Sequence, residues 1–434
     1  MRTRSESETA GDVEEYEPLP SSVWSLGIHD AHCHPTDTMS TAPKISSMKA
    51  SGLVIMGTRF QDQSLVAKLA EEYGVYDPRD PEESRGRIVP SFGYHSWFSH
   101  LIWDDEADDL KQLSVKELKT VHYKRVLTSN PTDELIFALP EPKKLSEALN
   151  EIREYLERFP VALVGEIGLD RGFRIPHPLE TSFIQEHSEL EEAGRAPGQD
   201  EESKRLSPHK ISMAHQKIVF VAQLKLAGEL ERAVSVHGVQ CHGALFDTFR
   251  DLWKGHELVV ESKKEMKRRR RKGEDGHEYL PDFAFIGDDS SEDEDDDEDW
   301  LTTRKSNIPP PAPRPKPFPP RVCLHSFSAP LQTLQQYLNQ PTPKLQYPSQ
   351  VYFSFSTTVN ARSERGHMSK IMDTIKGVPN DRVLIESDLH TAGEDMDKAL
   401  EGAVRLIAEV RGMEISDCAS RLGTNWREFV FGQN

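Results

Sequence analysis

Eight short apolar runs, most of them separated by helix-like stretches, constrain this chain more than any other feature. They cover residues 26–32, 52–58, 88–95, 161–167, 233–237, 321–326, 351–356 and 382–387. The run VALVGEIGLD (Val161 to Asp170) shows their character, being almost continuously apolar until it stops at Glu166. A parallel strand covered by helices on both faces has to look like this. The stretches between are periodic: Leu65, Leu69 and Tyr73 recur at four-residue spacing within Ser64 to Tyr73. From Lys144 to Phe159, Leu145, Leu149, Ile152 and Leu156 fall on one helical face. Alternation of this kind builds parallel βαβ units, and eight of them predict a closed (β/α)8 TIM-like barrel. The 434 residues are enough for one large domain with a sizeable core.

In such a barrel the functional site lies at the carboxyl ends of the strands. The first run, LGIHDAHCHP (Leu26 to Pro35), ends by projecting His32 and His34, which are two residues apart and so share a face. Two imidazoles aimed together are a ready pair of metal ligands. His95, Glu166, His237, His325 and Asp388 also fall at or near strand ends, from strands three, four, five, six and eight. Taken alone, His237 or His325 reads as a satisfied core histidine. Glu166 differs, because a buried carboxylate without a partner is expensive. Together, His32, His34, His237, His325, Glu166 and Asp388 supply ligands for two divalent ions. Glu166 could bridge ions about 3.5–4 Å apart, with His32, His34 and Asp388 on one and His237 and His325 on the other. That arrangement suits phosphoester hydrolysis, with Asp388 also placed to orient the attacking water as general base.

Composition narrows the remaining classes. The net charge of −19 owes ten acidic residues to one run, Asp288 to Asp299, so no global basic character advertises nucleic-acid binding. Cys33, Cys241, Cys323 and Cys418 lie far apart, which argues against a disulfide scaffold or a structural zinc site. No apolar run approaches a membrane span and the N-terminus is polar, so an intracellular, soluble protein is expected, cytoplasmic or nuclear or both. Residues 1–22 read as a disordered tail, 23–255 as the first part of the barrel and 321–434 as the second. Residues 256–320 read as a disordered insertion with a basic cluster (Lys263 to Lys272), the acidic run and a Pro-rich stretch (Pro309 to Pro320). The basic cluster is a candidate nuclear-localisation signal or phosphate patch, and the insertion a candidate protein-binding segment. A helix is expected over Lys44 to Ser51, a long loop with short helices over residues 98–140, and a charged excursion over residues 172–208. Further helices are expected at His209 to Leu230, Glu394 to Val410 and Ile415 to Phe431.

The HxH of the first strand, GEIGLD of the fourth, VSVH of the fifth, LHSFS of the sixth and IESD of the eighth together resemble the TatD-related deoxyribonucleases. The closing NWREFVFG is similar to that family's terminal helix. The resemblance implies a distorted TIM barrel of the metal-dependent hydrolase superfamily, in a eukaryotic branch with large insertions. It carries the metal positions to His32, His34, Glu166, His237, His325 and Asp388. The third-strand motif, usually GxHP, is here GYHS, and His95 is expected to contact substrate phosphate rather than a metal ion. Many members place an Arg after the strand-five histidine, where this chain has HGVQCHG with Val239 and Gln240.

The expected function is therefore a metal-dependent phosphoester hydrolase, a TatD-like deoxyribonuclease acting on DNA or a related phosphoester. Two divalent ions are expected, Mg2+ first, with Mn2+ or Zn2+ as alternatives. An amide or ester hydrolase on the same barrel, or a scaffold that binds a partner through residues 256–320, are the competing readings.

Overall fold

The computed structural model describes residues 17–77, 86–176, 207–260, 315–339, 341–342, 344–357 and 365–432. Among them, eight parallel strands form one sheet in sequential order: β1 (His29–Cys33), β2 (Gly52–Met56), β3 (Ile88–Phe92), β4 (Leu163–Asp170), β5 (Val234–Val239), β6 (Arg321–Leu324), β7 (Gln350–Phe355) and β8 (Val383–Ile385). The sheet curls until its edges meet. The Asp388 amide donates to His32 O at 3.0 Å, and the His34 amide donates to Leu389 O at 2.9 Å. The expected barrel is thus present, with every strand within a few residues of its expected place.

Helices α1 (Phe60–Tyr73), α4 (Leu145–Arg158), α5 (Met213–Glu229), α6 (His242–Trp253), α7 (Leu331–Leu338), α8 (Arg365–Gly377), α9 (Glu394–Arg411) and α10 (Ile415–Phe431) accompany the strands; α2 (Val115–Val126) and α3 (Asp133–Ala138) belong to the β3–β4 connection. The α4 helix buries Leu145, Ala148, Ile152 and Leu156 along one stripe, with Glu147 in its first turn and Arg158 in its last, as the helix dipole favours. Inside the barrel, Val54, Met56, Val89, Leu163, Ala233, Cys323, Tyr352 and Leu384 form one apolar cluster with Trp426, Phe429 and Val430 of α10. Trp426 Nε1 donates to Asp30 O, and Arg321 Nε at the start of β6 donates to Phe429 O at 2.6 Å. The amino ends of the strands are therefore closed by α10, which leaves the carboxyl ends for a site.

Several expectations are corrected. No α-helix covers Lys44 to Ser51. The chain there is a kinked 3-10 segment, Pro35–Ser47, with Pro43 inside it and Thr38 out of helical conformation. Its Ser, Thr and Pro residues disfavour an α-helix. The β4 strand does not stop at Glu166 but runs to Asp170, all eight residues buried. The buried Glu166 lies in a strand interior, where it has partners, and not at a strand end. The expected tail reaches too far: Leu19 is buried, its amide donates to Glu401 Oε1 at 3.0 Å, and Ser21–Trp24 form a helical turn.

Residues 98–140 carry short helices between loops, as expected, and in addition a core of their own. Tyr123, Val126, Leu127, Leu135, Ile136 and Leu139 pack with Ile175 and Ile211 into a small separate core. The flanks of the expected insertions belong to the fold. Leu258–Val259 pair antiparallel with Leu345–Gln346, Phe318 is buried, and the Ile175 amide donates to His209 O. The basic cluster, the acidic run, residues 309–314 and residues 177–206 lie outside the described residues.

Candidate metal centre

Six of the residues singled out from the sequence, together with His95, meet at the carboxyl mouth of the barrel. Two ladder irregularities help to place them, since a bulge re-aims the side chains beside it. The β1–β2 register shifts between Asp30 and Cys33, around His32, and the β4–β5 register shifts between Val164 and Ile167, around Glu166. Glu166 is buried, and its two oxygens face different ways. Oε2 lies 3.6 Å from His32 Nε2 and 3.5 Å from His34 Nε2. Oε1 lies 2.9 Å from His237 Nδ1, 2.8 Å from His325 Nε2 and 3.1 Å from His95 Nε2.

The first group is completed by Asp388, whose Oδ1 is 3.4 Å from His34 Nε2 and 3.9 Å from His32 Nε2. The two imidazole nitrogens of this group are 3.1 Å apart, as are His237 Nδ1 and His325 Nε2 in the second. Donors held at about 2.0–2.2 Å around one ion sit roughly 3–3.5 Å from each other, so both groups have the spacing of a coordination sphere. His32, His34 and Asp388 could hold one ion, and His95, Glu166 and His237 form a second group of suitable spacing. A cluster of His32, His325 and Glu386 is less suited. The two rings are stacked at 4.0 Å and 6°, so their in-plane lone pairs do not converge.

Electrostatics support displacement of protons by an ion. Burial opposes charge on every group here, yet the carboxylates stay ionised. His95, His325, His237 and His32 hold Glu166 well below its ordinary range, and His34, His32 and His325 hold Asp388 down to about 2. In turn, against burial, Asp388, Glu166 and Asp37 raise His34 to about 9, and Glu166 and Glu386 raise His325 well above its ordinary value. Burial lowers His32 and takes His95 down to about 4. A divalent cation held here would take the place of protons that these carboxylates otherwise draw onto imidazole.

The outer contacts settle ring orientations, and here sequence reasoning missed residues. Asp170 Oδ2 accepts from His237 Nε2 at 3.2 Å and from Trp97 Nε1 at 2.6 Å, which turns His237 Nδ1 toward Glu166. Ser235 Oγ pairs with His32 Nδ1 at 2.8 Å and so turns Nε2 inward. Glu386, 3.6 Å from His325 Nδ1, accepts from the Ser326 amide and from the Ser326 and Ser354 hydroxyls. Asp30 accepts from the His32 and Ser387 amides, both at 3.0 Å, and ties β1 to the end of β8. The signal for Asp170 and Ser235 was two-residue alternation, which places Asp170 on the side of Gly168 and Glu166 and Ser235 on the side of His237.

His95 behaves differently from the other imidazoles. Its Nδ1 accepts the Trp97 amide at 3.2 Å, so in the neutral ring the proton sits on Nε2 and points at Glu166 Oε1. As it stands, His95 is a donor and has no inward lone pair. At the mouth, Arg59 Nη2 donates to Asp37 Oδ1 and His390 Nδ1 to Asp37 Oδ2, both at 2.7 Å, and the His390 ring stacks on His34 at 5.3 Å. Arg59 places at the mouth a cation of the kind that the HGVQCHG stretch lacks.

The sequence profile of the TatD related DNase family matches residues 29–267 and 294–430, which include all of these positions. The chain belongs to the TatD-related DNase family. Its kinship makes it a member of a family of metal-dependent hydrolases, as the resemblance implied. Among curated relatives of this TatD-family chain, the Cut9-interacting protein scn1 of Schizosaccharomyces pombe is 31% identical over 404 residues, 93% of this chain and 98% of that protein. A Saccharomyces cerevisiae protein described as an uncharacterized deoxyribonuclease is 30% identical over 223 residues, 50% of this chain and 59% of that protein. Among solved structures, the TatD homolog YJJV of Escherichia coli superposes with a TM-score of 0.46 at 14% identity, over 95% of this chain and 100% of that one.

Proposed function

We infer that this TatD-family chain is a two-ion phosphodiesterase whose substrate class is DNA or a related phosphoester. The observation that carries the reading is the division of Glu166, with one oxygen toward His32 and His34 and the other toward His237 and His325. His32, His34 and Asp388 would hold one ion, His237 and His325 the other, and Glu166 both. When bound, two divalent ions activate a water and stabilise the attacking and leaving oxygens of an in-line displacement at phosphorus. The imidazole-rich donor set ranks Zn2+ or Mn2+ ahead of Mg2+, which prefers oxygen ligands and keeps its waters.

The chain's own groups have distinct tasks. Asp388, held ionised at the mouth, accepts the proton of the attacking water as the new P–O bond forms and the bond to the leaving oxygen breaks. His95 Nε2–H donates to a phosphate oxygen, in keeping with the tautomer that the Trp97 amide imposes. Asp170 and Ser235 keep His237 and His32 turned inward.

The purified protein tests the reading with single- and double-stranded DNA in the presence of Mg2+, Mn2+ or Zn2+, beside Asp388→Asn. Metal-dependent cleavage that falls about 100-fold or more in the variant is expected. Intact DNA in a protein shown to bind metal would overturn it. A second reading rests on the relative whose name records an interaction with Cut9. Because the alignment spans 93% of this chain, a protein-binding role alongside the barrel is proposed here too. Residues 256–320 are the proposed contact.

A further inference from the structure

Beside the second ion group, the mouth carries an aromatic pair whose ring faces no part of the hydrolytic scheme uses. Trp97, in the 3-10 turn after β3, remains 38% exposed although it lies at the edge of a deeply buried centre. Its indole stacks on Phe173 at 4.9 Å and 11°, and is perpendicular to His95 at 4.7 Å and to His237 at 5.8 Å. The pair is built rather than incidental. Asp170 accepts the indole N–H at 2.6 Å and, through its other oxygen, the Phe173 amide at 2.9 Å, so one carboxylate holds both rings. Arg171 and Arg174 flank Phe173 and are exposed, and Lys210 Nζ donates to Arg171 O. A flat aromatic stack next to a phosphate-reactive centre, with cations beside it, has the layout of a single-strand nucleic-acid platform, where a base stacks while its phosphate is held by charge.

The geometry points to Trp97 and Phe173 as the residues that select for a nucleobase next to the scissile phosphate. The substrate is then an unpaired or frayed strand whose base joins the two-ring stack, not a duplex interior or a phosphoester without a base. This rests on the phosphodiesterase reading. The chemistry of cleavage stays with the histidine and carboxylate groups, and the platform decides which phosphate is presented to them.

The test compares a single-stranded oligothymidylate with a strand of the same length in which the residues near the cleaved phosphate are abasic. The selectivity, the ratio of the two kcat/KM values, is measured for wild type, Trp97→Leu, Trp97→Phe and Phe173→Leu. Loss of one stacking partner should lower the selectivity by about 10-fold, through KM, in Trp97→Leu and Phe173→Leu. Trp97→Phe, which keeps a ring face and loses the bond to Asp170, should retain most of it. If Trp97→Leu slows both strands equally, the ring acts only through Asp170 and His237 and the platform is overturned. If wild type cleaves neither strand, the phosphodiesterase reading falls, and fluorescence anisotropy with labelled strands still decides the platform. Base-dependent binding lost in Trp97→Leu upholds it, and base-independent binding overturns it.

Discussion

Replacing Asp170 with Asn separates the coordination groups from the scaffold that orients them. Four N–H donors converge on this carboxylate: the Gly172 and Phe173 amides on Oδ1 at 2.6 and 2.9 Å, and Trp97 Nε1 and His237 Nε2 on Oδ2 at 2.6 and 3.2 Å. Burial opposes its charge, but His237, Trp97 and the Phe173 amide still bring its pKa down to about 2. Asparagine keeps one acceptor, enough for the two amides, and turns an NH2 group toward Trp97 and His237. Two donors then face a donor. In the neutral form that a metal ion requires, His237 meets it best with the other tautomer, accepting at Nε2 and carrying its proton on Nδ1, where the lone pair for the second ion is needed. Affinity at the second group should therefore fall about 10- to 100-fold, with kcat/KM falling in parallel. Folding stability should drop by about 1–3 kcal/mol for the donors left unsatisfied. Calorimetric titration with Zn2+ or Mn2+ and urea denaturation measure both. Two ions bound with unchanged affinities, and activity within twofold of wild type, would refute the tautomer argument.

Gly168 has φ of +153°, and a Cβ there would stand 2.1 Å from the His237 carbonyl oxygen. Gly168→Ala should cost about 3 kcal/mol or more in urea denaturation and weaken metal binding, because β4 and β5 must part between Glu166 and His237; stability within 1 kcal/mol of wild type would contradict this. His29, packed between Tyr76 and Trp426, has no hydrogen-bond partner for either ring nitrogen among the described residues, and burial, then Arg427, lowers its pKa to about 3. The unfolded chain takes up that proton below about pH 6.5 and the native protein does not, so stability is lost as pH falls toward 3, by up to about 1.4 kcal/mol per pH unit. His29→Phe should flatten that slope, and parallel pH curves for the two proteins would speak against the assignment. Deleting residues 261–314 leaves Phe318 and the ladder between Leu258–Val259 and Leu345–Gln346 in place, so metal-dependent turnover within threefold of wild type is expected. A dead enzyme would show that the segment shapes the site. The deletion also removes Lys263 to Lys272, and should lower nuclear accumulation if that cluster is a localisation signal.

The barrel was legible because its strands carry a strong signal, buried apolar runs separated by periodic helices, and because the fold brings strand ends together whatever lies between them. His32, His34, Glu166, His237, His325 and Asp388 could be proposed as a set for that reason: each lies at or near an apolar run's end, and topology supplies the meeting point. What the sequence hid depends on local departures from regular geometry. Asp388 has φ of +53°, so two-residue alternation does not relate it to Glu386, and the two carboxylates part company. One faces His34, while the other turns to the hydroxyls of Ser326 and Ser354.

Asp170 was hidden by the same rule that exposed Glu166. An acidic residue in an apolar run suggests a strand end, so the expected strand, residues 161–167, stops three residues short of its second carboxylate. The structure shows why both are tolerated inside. Each is surrounded by enough N–H donors and imidazoles to stay charged, and the chain places one carboxylate among the nitrogens that would touch ions and the other behind a ring that would touch them. Buried charge in a strand thus marks not where the strand ends but where its partners must be found. Applied to the eighth strand, the same reasoning separates Glu386, whose oxygens are already taken by serine donors, from Asp388, whose oxygen faces two imidazoles at the mouth. That difference is why the Asp388→Asn control reports on chemistry, whereas a change at Glu386 would report first on how β6, β7 and β8 hold together.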